Sequence, residues 1–262
     1  MRQSSFGDDN EIPPCTGCGD AFRLGSARLE IAYSDRGTLW RIVHHECVLH
    51  KLESGVPAPC AEVDLAGGEE NGEAILKDRI GETQFLLIPT RRLAGIEDPL
   101  IGTAVLPNYW RGAWAARRLV SQLARKELPR DAIGMAINSA MARSQDQLHI
   151  HIDCIRPDVR ETLSARTGEI GPQWAALAAG LAGHNYRARW IDGSGPEPDP
   201  FILLAAEARA SGVPMASETL AVIGAQRHDG REGFILLASQ ASEGGEAHAE
   251  DLLDHSCAVA RK

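Results

Sequence analysis

From Gln147 to Asp153 the chain alternates strictly: Gln147, His149, His151 and Asp153 are separated by Leu148, Ile150 and Ile152. A period of two is the signature of a β-strand, whose successive side chains point to opposite faces. The three aliphatics therefore turn together into a core, and the polar four line the other face. Any fold this chain adopts must contain a sheet with one face packed and one face carrying two imidazoles and a carboxylate. Two histidines on one face, two residues apart, stand close enough to share a small ligand, which a lone structural histidine does not do.

The rest of the pattern surrounds that strand with helices and further strands. Leu39, Ile42, Val43 and Cys47 recur at helical spacing and predict a helix over 38–52. A hairpin is expected from 74–77 and 83–88, stopped by Pro89. The strongest helix signal runs over 108–128, with an apolar stripe containing Trp110 and Trp114 beside a basic face, ended by Pro129. The tryptophans read first as core; with Arg111, Arg117, Arg118, Arg125 and Lys126 they are also candidates for a membrane-docking surface. Strands are expected over 133–138, 147–155, 201–204, 219–226 and 234–237, Pro157 suits the first position of a helix, and a closing helix is expected over 247–260. Helices alternating with antiparallel hairpins make the class α+β. The expected organisation is a polar extension over 1–36, a catalytic half over 37–160 and a second half over 161–262. Only the first half holds a His-x-His pair, so only it should be catalytic.

Composition narrows the partners. The chain has 262 residues, 44% apolar and 24% charged, with a net charge of −9, which leaves no basic footprint for nucleic acid. It contains no run of 18 apolar residues and no hydrophobic segment near its first residues, so the sequence by itself suggests neither a membrane span nor a signal peptide. Six cysteines leave the redox compartment open. Cys15, Cys18, His44 and Cys47 have a loose spacing that four-ligand zinc could use.

Three chemistries can use the polar face. A neutral imidazole can attack phosphorus directly, the histidines and Asp153 can ligate a metal, or the pair can do acid–base work with no covalent step. The metal pattern usually continues with a histidine immediately after the carboxylate, and here Cys154 stands there. Nucleophilic histidine is the preferred reading, with no metal and no cofactor. Asn138, Ser139, Gln145 and Gln147 are candidate donors to phosphate oxygens, and Arg143 a candidate counter-charge.

The segment Gln145-x-Gln147-x-His149-x-His151-x-Asp153 resembles the histidine-triad signature of nucleotide hydrolases and transferases. Gln84-Phe-Leu-Leu-Ile-Pro89 and Asn138 are similar to further parts of that pattern. More narrowly, Phe85-Leu-Leu-Ile-Pro-Thr90, Ile137-Asn-Ser139, the run from His149 through Ile155-Arg-Pro-Asp-Val-Arg160, and Cys257 resemble the CDP-diacylglycerol pyrophosphatases, from about Thr38 onward. The resemblance implies a histidine-triad-like antiparallel sheet and hydrolysis of CDP-diacylglycerol to CMP and phosphatidate at a membrane surface, while the strand–turn–strand–helix order of the second half echoes the first and suggests an internal pseudo-dimer within a monomer. A broader nucleotide pyrophosphatase, or a binding module without catalysis, is the alternative.

By that resemblance His151 is the nucleophile, His149 orients it, Asn138 and Gln145 hold phosphate and sugar, and Asp78 lies near a ribose site. The departure is Asp153, where the triad has its third histidine. A carboxylate beside a phosphate is unfavourable unless protonated or turned toward a cation such as Arg143 or Arg156. The resemblance also carries disulfides Cys47–Cys60 and Cys154–Cys257, and with them a compartment outside the cytosol, facing the periplasm at the inner membrane. The cytoplasm stays open because no anchor is visible.

Overall fold

A computed structural model describes residues 35–241 and 247–261. Nine strands make one antiparallel sheet: β1 (Glu62–Asp64), β2 (Glu73–Lys77), β3 (Phe85–Pro89), β4 (Ile133–Ile137), β5 (Ile150–Cys154), β6 (Ala175–Ala176), β7 (Arg187–Asp192), β8 (Glu218–Gln226) and β9 (Glu232–Gln240). Their order across the sheet is β1-β2-β3-β5-β4-β8-β9-β7-β6. The first helix, α1, is an α-helical turn Thr38–Arg41, a π-helical stretch Ile42–Val48 and an α-helical end Leu49–Ser54. Three more follow: α2 (Tyr109–Ala124), α3 (Pro157–Arg166) and α4 (Pro200–Ser211). The class is α+β.

Outward from the β4–β8 seam, the order is β4-β5-β3-β2 on one side and β8-β9-β7-β6 on the other. In each arm an antiparallel pair is followed by a helix, α2 or α4, and then by a second antiparallel pair.

One face of the sheet carries the main core. Tyr109 and Trp110 of α2 and Phe201 and Leu204 of α4 pack there with Met135, Ile150, Ile152, Val222 and Leu236. The opposite face holds two smaller clusters. Val43 and Cys47 of α1 pack on Leu76, Leu86 and Ile88, while Val159 and Leu163 of α3 pack with Trp190, Ile223 and Leu237. His151 falls between the two, because its ladder partners are Leu86 on β3 and Ala136 on β4, one from each cluster. The odd-numbered face of the 147–155 alternation is thus a polar seam between two small cores.

A C-terminal strap crosses this seam. The backbone of Ile155 bridges Leu253, Arg156 N–H donates to Leu252 O (3.0 Å), Asp254 N–H to Cys154 O (2.8 Å) and Glu82 N–H to His255 O (2.9 Å). Gly134 makes room for it, since a Cβ there would lie 2.7 Å from Leu253 Cδ2. The disulfide Cys154–Cys257 ties the strap to the end of β5, and Cys47–Cys60 ties α1 to the start of β1.

Several expectations are corrected. Residues 201–204 belong to α4, not a strand: Asp199 caps the helix by accepting from Phe201 N–H, and Pro200 takes the first position. The closing helix is instead two 3₁₀ turns, Ala249–Leu252 and Ala258–Arg261, separated by Cys257 at φ +48°. The long helix ends at Ala124 rather than Leu128, with Arg125 in the left-handed conformation. Trp110 and Trp114 are buried in the main core, so they present no docking surface. Cys47 is consumed by its disulfide and His44 stacks on Trp40, which dismantles the four-ligand zinc arrangement; Cys15 and Cys18 lie outside the described residues. Among the described residues no helix is long and apolar enough to cross a membrane.

Candidate active site

His149 immediately precedes β5 and His151 lies within it, their rings edge-on with centroids 5.0 Å apart. Both are buried. His149 Nδ1 is 2.7 Å from Gln147 O, which places its proton on Nδ1. Burial and the neighbouring His151 hold His149 down to a pKa of about 4, and burial also lowers His151, so both rings are neutral near pH 7.

His151 Nδ1 lies 3.1 Å from Glu250 Oε1, in the strap, and 4.0 Å from Asp78 Oδ2. Gln84 Nε2 stands among all three, 2.7 Å from Asp78 Oδ2 and 3.2 Å from both Glu250 Oε1 and His151 Nδ1. An amide nitrogen has only two protons, and two carboxylates claim them. We therefore place a proton on His151 Nδ1, which faces the Glu250 carboxylate at 3.1 Å, leaving a lone pair on Nε2. That Nε2 is buried and has no hydrogen-bond partner among the described residues, as do Gln84 Oε1 and Ser139 Oγ.

Asn138 holds Glu250 from the other side: its Nδ2 donates to Glu250 Oε2 (3.1 Å), and its Oδ1 accepts from Glu250 N–H (3.2 Å). Burial acts to raise the Glu250 carboxyl, but His151, Gln84 and Asn138 more than offset it and keep it ionised. Asp153, fully buried, accepts from Thr83 Oγ1 (2.5 Å) and Cys154 N–H (2.8 Å), and its Oδ2 is 3.3 Å from His255 Nδ1. The group it faces is His255, neither Arg143 nor Arg156. Arg143 pairs with Glu97 (2.6 Å) and Asp146 (3.0 Å), and Arg156 with Asp158 (2.9 Å).

His149 and Asp78 thus stand around the His151 imidazole, Asn138 reaches it through Glu250 with Ser139 next in the chain, and Asp153 meets His255. Gln147 joins them through its backbone carbonyl, which meets His149 Nδ1, and not through its side-chain amide. Gln147 donates to Pro89 O (3.0 Å) and Arg91 O (2.9 Å), bracing the chain beyond β3, and Gln145 accepts from Leu39 N–H (3.1 Å) at the start of α1. Sequence reasoning missed Thr83, Gln84, Glu250 and His255 as site residues. One signal was available for His255: it lies two positions before Cys257, whose bridge to Cys154 brings the strap to β5.

A family model described as CDP-diacylglycerol pyrophosphatase matches residues 34–261. This chain belongs to the CDP-diacylglycerol pyrophosphatase family. A relative named CDP-diacylglycerol pyrophosphatase, from Yersinia pestis, is 40% identical over 233 residues, covering 88% of this chain and 87% of its own. The match to the CDP-diacylglycerol pyrophosphatases therefore takes in every strand of the sheet and the C-terminal strap, with all the residues around His151.

Proposed function

We propose that this chain hydrolyses CDP-diacylglycerol to CMP and phosphatidate through a nucleotidyl intermediate on His151. The observation that carries the reading is the setting of that ring, with Nδ1 3.1 Å from the Glu250 carboxylate and Nε2 buried without a partner among the described residues. A neutral imidazole with one nitrogen anchored and the other free is a competent nucleophile. Nε2 attacks the cytidylyl phosphorus, and the bond to the bridging oxygen breaks with release of phosphatidate. The ring becomes cationic as the P–N bond forms, and the Glu250 carboxylate stabilises it through Nδ1–H. Water then attacks phosphorus, the P–N bond breaks, and CMP leaves with His151 neutral again. His149 fixes the ring's orientation, and Asn138 fixes Glu250. Ser139 Oγ is a donor for a phosphate oxygen.

Supporting this reading are the family membership and the resemblance to histidine-triad enzymes. The mirrored strand order of the two arms favours an internal pseudo-dimer of 37–160 and 161–262, of which only the first carries the histidine pair. Such a substrate is met at a membrane surface, its acyl chains remaining in the bilayer.

Incubation with CDP-diacylglycerol should yield CMP, and acid-free quenching should trap a CMP adduct on His151. An adduct on another residue would refute the mechanism. Equal turnover of soluble CDP-alcohols would make the enzyme a general nucleotide pyrophosphatase.

A further inference from the structure

We propose that His255 is the proton carrier of this site, protonating the departing phosphatidate oxygen and then deprotonating the attacking water. The inference rests on the hydrolase reading above and adds to it a catalytic residue from the C-terminal strap.

The need for such a group follows from the charges. Three carboxylates, Asp78, Asp153 and Glu250, surround the histidine pair, and the leaving group is itself a phosphate. Asp78 and Glu250 are quenched by Gln84 and Asn138, which are neutral. The cations nearby are committed elsewhere: Lys77 Nζ donates to Asp78 O (2.6 Å) and Gly81 O (3.0 Å), and Arg143 is held by Glu97 and Asp146. His149 and His151 are neutral and buried, and the one proton each carries is on Nδ1, facing Gln147 O or Glu250, so neither serves a leaving oxygen while His151 attacks.

His255 stands beside the Glu250–His151 pair, with Asp153 behind it and solvent within reach. Its Nδ1 faces Asp153 Oδ2 at 3.3 Å and its Nε2 lies 3.7 Å from Glu250 Oε1, the carboxylate that holds His151. Its side chain is 37% exposed, against 8% for His151, so it can exchange protons with solvent between turnovers. Its main chain is fixed by the bond from Glu82 N–H, and the turn at Gly81 (φ +76°) packs on its Cβ. The charged and titratable groups facing it are Asp153 and His151 from β5, Glu250 from the strap and Asp78 from the end of β2. The three carboxylates raise its pKa, the hydrogen bond to Asp153 most of all, which offsets the effect of burial.

The proton balance closes. As the Nε2–P bond to His151 forms and the bond from phosphorus to the bridging oxygen breaks, His255 Nε2–H passes its proton to that oxygen, leaving His255 neutral. As water oxygen bonds to phosphorus and the P–N bond breaks, one water proton moves to His255 Nε2 and restores it. Asp153 keeps Nδ1–H in place throughout, and this gives the carboxylate on the polar face a task that does not bring it against phosphate.

The test compares two substrates on the full chain with both disulfides formed: CDP-diacylglycerol, and the 2,4-dinitrophenyl ester of CMP, whose leaving phenolate needs no proton. For His255→Gln, hydrolysis of CDP-diacylglycerol should fall by about 10²- to 10⁴-fold, the usual worth of a general acid–base group. The dinitrophenyl ester should still give a dinitrophenolate burst, followed by slow turnover with accumulated CMP adduct on His151. Asp153→Asn should weaken the same steps and move the basic limb of the pH–rate profile to lower pH. CDP-diacylglycerol turnover within a few-fold of the parent, or equal loss of the burst and of turnover in a His255→Gln protein with unchanged thermal unfolding, would overturn the assignment. Absence of any adduct in the unsubstituted protein with either substrate would instead sink the histidine-nucleophile reading beneath it.

Discussion

Glu250 Oε1 lies 3.1 Å from His151 Nδ1, setting a carboxylate of the C-terminal strap against the imidazole of β5. The carboxylate fixes which ring nitrogen bears the proton, and so which one can attack. Glu250→Gln should lower kcat by roughly 10²-fold or more with little change in KM, because the effect falls on the transition state. An amide nitrogen facing Nδ1 would favour the opposite tautomer, with the proton on Nε2. Steady-state kinetics beside the two-dimensional NMR of the imidazole nitrogens would check both parts. A kcat unchanged in Glu250→Gln would remove the dyad from the mechanism.

The pH dependence follows from the opposite shifts of the histidines. His151 is lowered by burial, so its attacking form survives to a pH below the ordinary imidazole range, and the acid limb of kcat/KM should lie there. His255 is raised, chiefly by Asp153, so the basic limb should lie above that range. Stability moves with His149, whose pKa falls from 6.5 unfolded to about 4 folded. The unfolded chain binds the proton first, so the stability present above pH 6.5 is lost as pH falls toward 4, by about 3 kcal/mol. Urea unfolding from pH 7 to pH 4 should show this loss, and His149→Gln should remove that part of the slope.

Chelation should leave the rate nearly unchanged, because the proposed attack, proton transfer and charge stabilisation are all done by side chains. The measurement is CMP release before and after exhaustive dialysis against EDTA. Full inactivation, with recovery on adding zinc or manganese, would move the chemistry to a metal-assisted hydrolysis.

What was legible in the sequence was what is local. The alternation over 147–153 placed Leu148, Ile150 and Ile152 in the core and the two histidines together, because a strand's period is fixed by covalent geometry. The hairpin ending at Pro89, the helix opened by Pro157 and the helix capped by Asn108 were readable for similar reasons. Residues 201–204 misled because a run of Phe, Ile, Leu and Leu has no period of its own, and the deciding signal was Asp199-Pro200 just before it. Glu250 carried no local signature, and His255 only its place two positions before Cys257. They reach the site because the strap is bonded along Ile155 and Arg156, packs over Gly134 and is bridged at Cys257, contacts between distant segments that no window of sequence contains. The palindromic strand order was likewise hidden, since β7 was not recognised and β6 is two residues long.

The bridge between Cys154 and Cys257 should govern activity as well as stability. Its two cysteines are 103 positions apart, and closing a loop of that length is worth about 4–5 kcal/mol in the chain-entropy model. The functional consequence is sharper, because Asp153 and His255 are each within two residues of a bridged cysteine and Glu250 is on the same strap. With Cys154→Ala and Cys257→Ala together, the strap is held by backbone hydrogen bonds and packing alone. Glu250 should then fail to hold His151 Nδ1–H consistently, and kcat should fall by at least about tenfold at temperatures where the protein is still folded. Cys47→Ala with Cys60→Ala is the control, since that bridge joins α1 to β1 away from the strap. It should lower the unfolding temperature with a much smaller effect on kcat. Equal losses of kcat from the two pairs of substitutions would show that the Cys154–Cys257 bridge supports the fold without positioning the site.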